Sequence, residues 1–165
     1  MTRYIIITSL FLTNCIYGQH SKITNIEKII FVTSPCNGLC SSYELQVDSN
    51  KKAQLHSVQV YKDIIHYPEI DTNRMGYFKG RVSDPIFDKL LRFIKTLKVD
   101  TFSDIEESPL SSQQITIIIY YNKKRKIIKT YSLSKNKPDE LISTLFEICE
   151  KSELVKTNEK LKIEN

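Results

Sequence analysis

Cys36-Asn37-Gly38-Leu39-Cys40-Ser41-Ser42-Tyr43-Glu44-Leu45-Gln46-Val47-Asp48 decides the fold, because a cysteine-bracketed turn here feeds straight into an alternating strand. Successive side chains of a strand point to opposite sides, so Tyr43, Leu45 and Val47 share one face and Glu44, Gln46 and Asp48 the other. The core is expected on the Tyr43 side. Asp48-Ser49-Asn50-Lys51 supplies turn residues, with Asn50 expected to take positive φ, and Ala53 and Leu55 begin a second run. This is the pattern of a hairpin. In the second run the apolar positions change parity, from Ala53 and Leu55 to Val58 and Val60, which places a bulge or strand end near His56-Ser57.

Upstream, Ile29-Ile30-Phe31-Val32 reads as a first strand that ends at Ser34-Pro35 and lies against the Tyr43 strand. Downstream, the polar, proline-broken run from His66 to Arg74 is the candidate binding loop, with Tyr67, Glu69, Asp71 and Arg74 as its contact residues. Tyr77 to Val82 adds a brief strand. Ser83-Asp84-Pro85 is a capped helix start, followed at helical spacing by Ile86, Phe87, Leu90, Leu91, Ile94 and Leu97. Ile115 to Tyr121 is apolar on both faces, as in a central strand, and Asn122-Lys123-Lys124-Arg125-Lys126 turns it into a partner running to Leu133. Asn136, Lys137 and Pro138 open a last helix with Leu141, Ile142, Leu145, Phe146 and Cys149 on its apolar face. The expected architecture is α+β, an antiparallel sheet of about five or six strands with two helices packed on one face.

The cysteine turn resembles that of a family of small exported bacterial domains of unknown function, whose signature is Cys-Phe-Gly-x-Cys-Pro-x-Tyr. Cys36, Gly38, Cys40 and Tyr43 match it, while Asn37 and Ser41 stand where the family has Phe and Pro. Gly76, the Ser83-led helix, Phe102, the later hairpin and the Pro138-led helix extend the similarity over Glu27 to Glu150. An acidic residue that many members place just before the later hairpin has no counterpart, since Ser111-Ser112-Gln113-Gln114 occupies that region. The resemblance implies an α+β fold and no known activity.

The chain has 165 residues, 41% of them hydrophobic, which suffices for one core. Residues 1–18 are set apart as a signal peptide: Arg3, the apolar run Tyr4 to Leu12, polar Thr13-Asn14, then Gly18 before Gln19. That run is too short to span a bilayer. A second reading takes Leu12-Thr13-Asn14-Cys15 as a lipoprotein signal with Cys15 acylated, the one route by which the chain would meet a membrane. A single domain then covers 19–152, and 153–165 is a charged tail expected to fray. Both N-terminal readings export the chain to the periplasm or cell surface.

Export puts Cys36, Cys40 and Cys149 in an oxidising compartment, where one internal disulfide can form. Cys149 lies on the apolar side of the last helix, where a free cysteine acts as a small hydrophobe, so Cys36 is paired with Cys40. Closing so short a loop gives about 2 kcal/mol in the chain-entropy model. A redox dithiol would want its first cysteine at a helix N-terminus, whereas a strand follows here. No second cysteine pair or nearby histidine completes a metal site, and no cofactor motif is present among only four glycines.

Other chemistry is sparse. Asp104, Glu106 and Glu107 lie in a Ser- and Pro-containing loop and read as solvated charge rather than a general acid/base pair. His20, His56 and His66 have no serine or cysteine tied to them by a motif, and His56 and His66 flank the doubtful strand edge. The basic hairpin tip reads as solvated charge and not as a nucleic-acid patch. Without residues 1–18 the chain has one basic residue fewer than 24 against 19 acidic ones, a modest +4. Two functions stand: a non-enzymatic binding or structural module meeting a protein or envelope component, or a small exported enzyme or thiol-redox protein using Cys36 and Cys40.

Overall fold

The computed structural model describes residues 23, 25–37, 39–62, 69–97, 111–133 and 138–164. Seven strands form one sheet: β1 (Ile26–Thr33), β2 (Ser42–Asp48), β3 (Lys52–Gln59), β4 (Gly76–Arg81), β5 (Gln114–Tyr121), β6 (Lys124–Tyr131) and β7 (Val155–Thr157). Two helices, α1 (Asp84–Thr96) and α2 (Asp139–Lys151), complete the α+β fold. The strand order is β6-β5-β1-β2-β3-β4-β7 and every pairing is antiparallel. The expected five or six strands become seven because the presumed fraying tail supplies the last, with Tyr77, Phe78 and Lys79 facing Thr157, Lys156 and Val155. Its side chains gave no apolar signal, since a short edge strand is held by backbone groups that any residue carries.

β1 is central, with β2 on one side and β5 on the other, which explains its continuous apolar run. Ile29 and Phe31 join the main core with Tyr43, Leu45, Val47, Ile117 and Ile119. Phe87, Leu90 and Ile94 of α1 and Leu141, Leu145 and Ile148 of α2 belong to the same cluster. The Phe146 ring meets Phe31 edge-on at 5.1 Å and Tyr43 at 6.1 Å, so the Tyr43 side is indeed the core side. Ile30 and Ile118, paired across β1 and β5, are buried on the other face.

Turn chemistry differs from expectation in three places. In the β2–β3 hairpin the positive φ, 65°, falls on Lys51 and not Asn50. The Asp48 carboxylate accepts the Asn50 and Lys52 amides at 2.8 and 3.0 Å, and the Lys51 amide donates to the Asp48 carbonyl at 3.0 Å. A three-residue loop of this kind puts the left-handed residue last. The bulge lies one step beyond the expected site: Ser42 faces Gln59 and Tyr43 faces Ser57, so Val58 is the extra residue and is 40% exposed, not core. Ser83 occupies the α1 N-cap position without a side-chain capping bond, while Asp84 of the first turn takes the Lys51 ammonium at 2.9 Å. The later hairpin turns on Asn122 and Lys123, both at positive φ, which suits a two-residue turn between twisted strands. Lys124, Lys126 and Lys129 lie on β6, an edge strand, where charge discourages pairing with other chains.

Candidate functional site

The cysteine turn forms the expected disulfide between Cys36 and Cys40, directly before β2. Gln113, 5% exposed, closes its base: the side-chain amide donates to the Ser34 carbonyl at 2.9 Å and the Ser41 carbonyl at 2.7 Å, one on each side of the loop. Alongside, the Ser34 amide donates to the Gln114 carbonyl at 2.9 Å. Nothing in the residue type announces this role, because a glutamine in a polar run looks solvated until the fold buries it. Cys149 is free and buried, and burial pushes its thiol well above the usual range, which makes it inert. Burial likewise raises the Tyr43 phenol, with Ser41 working against it.

The candidate binding loop is only partly described. Tyr67 and His66 lie outside the described residues, as do His20, Phe102, Asp104, Glu106 and Glu107. Glu69 pairs with Lys62 at 2.7 Å beside a Tyr61–Ile70 bridge. The Asp71 carboxylate accepts the Asn73 amide at 3.2 Å and caps a 3-10 turn, Thr72–Arg74. Arg74 donates to the Glu150 carbonyl at 3.4 Å. These residues close the stub of the loop onto the domain; they do not converge on one site.

The groups that do converge lie on the face away from the main core. Glu44, His56 and Tyr77 stand in direct register across β2, β3 and β4. His56 is therefore inside the sheet and not at its edge. Its Nδ1 lies 2.9 Å from a Glu44 carboxylate oxygen; a carboxylate only accepts, so Nδ1 carries the hydrogen and Nε2 is left free of that bond. The Tyr77 ring stacks on the imidazole at 4.2 Å with 13° between planes. A short segment, residues 158–164, lies over this row and leaves a cleft of about 530 Å³ lined by Glu44, His56, Tyr77, Lys160, Leu161, Lys162 and Ile163. A smaller cleft of about 200 Å³ sits beside α1, between Asn25, Ile26, Ser49, Phe87, Leu91 and Lys95, and gathers no comparable polar cluster.

The segment is a strap that belongs to no strand. Leu161 is 8% exposed, a burial worth about 1.5–3 kcal/mol. Glu159 takes the Lys79 ammonium at 2.8 Å, and Glu164 takes both the Lys28 ammonium and the Tyr120 hydroxyl. The hydrogen bond from Lys79 holds the Glu159 carboxyl below the usual range, and those from Lys28 and Tyr120 do the same for Glu164. Lys28 also lies 4.5 Å over the Tyr120 ring. The Glu44–His56 pairing was implicit in the hairpin, but only the loop length, three residues after Asp48, decides that these two polar residues face each other.

A family model described as a domain of unknown function (DUF6438) matches residues 27–151. The chain belongs to this family. The DUF6438 match opens within β1 and closes with the last residue of α2, so β7 and the strap lie beyond it. The cleft is thus made by the family's sheet and by a segment outside the matched region. No curated protein matched the chain. Among the described residues no group of three or more His, Cys, Asp or Glu side chains could hold a metal ion, and no helix is long and apolar enough to cross a membrane.

Proposed function

We propose that this protein is an exported, non-enzymatic binding module of the cell envelope, whose recognition surface is the sheet face around Glu44, His56 and Tyr77. In this reading both helices back the opposite face, so that the domain offers one side of its sheet to a partner protein or envelope component. The observation that carries it is the cleft itself. An imidazole held by a carboxylate through Nδ1 and stacked on a tyrosine is a rigid platform of the kind that orients a bound chain, with little entropy left to lose on binding. The Cys36–Cys40 disulfide suits the oxidising compartment to which residues 1–18 would direct the chain, through cleavage after Gly18 or acylation of Cys15.

A photo-crosslinking residue at Gln54, next to His56 on β3, tests the surface in the native envelope, with Lys95 on α1 as the control position. A discrete adduct from Gln54, absent from Lys95 and lost in a folded Tyr77→Ala protein, is expected. Equal adducts from both positions, or none from Gln54, would refute the reading. Intact mass of the recovered protein separates a start at Gln19 from an acylated Cys15.

A further inference from the structure

The strap's path points to what the face binds. Glu159 sits over Lys79 on β4, and five residues later Glu164 reaches Lys28 on β1 and Tyr120 on β5. Strands β4 and β1 are three sheet spacings apart, roughly 14 Å at about 4.8 Å each. Five steps of fully extended chain cover roughly 16–18 Å. The strap therefore crosses the sheet stretched out, with one carboxylate at each end, Leu161 pressed inward between them, and Lys160, Leu161, Lys162 and Ile163 along the cleft. Side chains hold it, since none of these residues joins the sheet as a strand.

We propose that residues 158–164 are an internal stand-in for a partner's extended peptide segment that carries two carboxylates at the same spacing, which docks on the same face by displacing them; this deepens, and rests on, the binding reading above. Charge complementarity selects the partner: two carboxylates five residues apart, with an apolar residue two positions after the first, meet Lys79, the cleft beside His56 and Tyr77, and the Lys28–Tyr120 pair. The tether gives the strap a high effective concentration, so it screens the face from weaker segments and yields to a segment that adds contacts with His56. The family match, residues 27–151, covers the strands that the strap crosses and ends before the strap itself.

The test uses the full chain with its disulfide intact and a fluorescein-labelled peptide of residues 158–164. A strap-released protein, E159Q/L161S/E164Q, is expected to bind this peptide at least tenfold more tightly than the wild-type protein does. A peptide carrying Gln in place of both glutamates is expected to bind it at least tenfold more weakly. Equal binding to the released and wild-type proteins, or equal binding of the Gln-substituted peptide, overturns the proposal. Should the released protein not fold, amide exchange of residues 159–164 in the wild-type protein decides: excess 158–164 peptide must accelerate it and the Gln-substituted peptide must not, and no acceleration overturns the proposal. Gln54 adducts that persist when the peptide fails sink the strap alone, whereas loss of both removes the face as a binding surface.

Discussion

Replacing Gln113 by alanine removes the two hydrogen bonds that close the base of the disulfide loop. Each such bond is worth about 0.5–1.5 kcal/mol net, so the pair accounts for about 1–3 kcal/mol, and the carbonyls of Ser34 and Ser41 would be left without this donor. For a chain of this length that lowers the melting temperature by about 2–4 °C per kcal/mol. Urea unfolding of Gln113→Ala with the disulfide intact should give a lower midpoint at unchanged slope. Severing the disulfide in Cys36→Ser/Cys40→Ser should cost about 2 kcal/mol by itself. The two losses should fall short of additive by about 0.5 kcal/mol or more, because a loop freed at one end no longer needs both carbonyls held. Strict additivity, or a Gln113→Ala cost within error of zero, would refute the clamp.

Gly76 has a φ of 107°, a region that side chains rarely adopt, so Gly76→Ala should destabilise by about 1–3 kcal/mol in urea titration even though its Cβ would meet only Lys156 at 3.5 Å. Leu161→Ala should raise the amide exchange of residues 159–164 about tenfold while leaving the urea midpoint nearly unmoved, since the strap opens locally; a matching loss of global stability would make it part of the cooperative core. The carboxyls of Glu159 and Glu164 are depressed in the folded protein, so their contribution to strap docking is complete above the ordinary glutamate value of 4.5 and is lost as the pH falls through the lowered values. Protection factors at 159–164 should therefore fall on acidification only below that value. Cys149 should resist alkylation in the folded protein and react once it is unfolded, as its buried, raised thiol requires.

Apolar runs and periodicity, together with turn and helix-start residues, located β1, β2, β4, the later hairpin and both helices, because a buried strand or helix must place its apolar residues to suit its own geometry. It also separated Cys149, on an apolar helix face, from the pair at Cys36 and Cys40. Side-chain pattern was silent wherever the backbone or a distant contact decided the outcome. β7 pairs through amides and carbonyls, so Val155-Lys156-Thr157 looks like any charged tail. Lys51 takes the left-handed turn position because Asp48 draws the chain around its carboxylate, which no propensity for asparagine at Asn50 could override. Gln113 became a clamp only when β5 brought it beside Ser34 and Ser41, and His56 acquired Glu44, Tyr77 and the strap only through register across strands. The sequence by itself determined which residues must hide from water and therefore the α+β class and its core face. Only the tertiary structure decided which polar residues meet, because hydrogen bonds and ion pairs depend on distances between segments far apart in the chain, which local patterning does not encode.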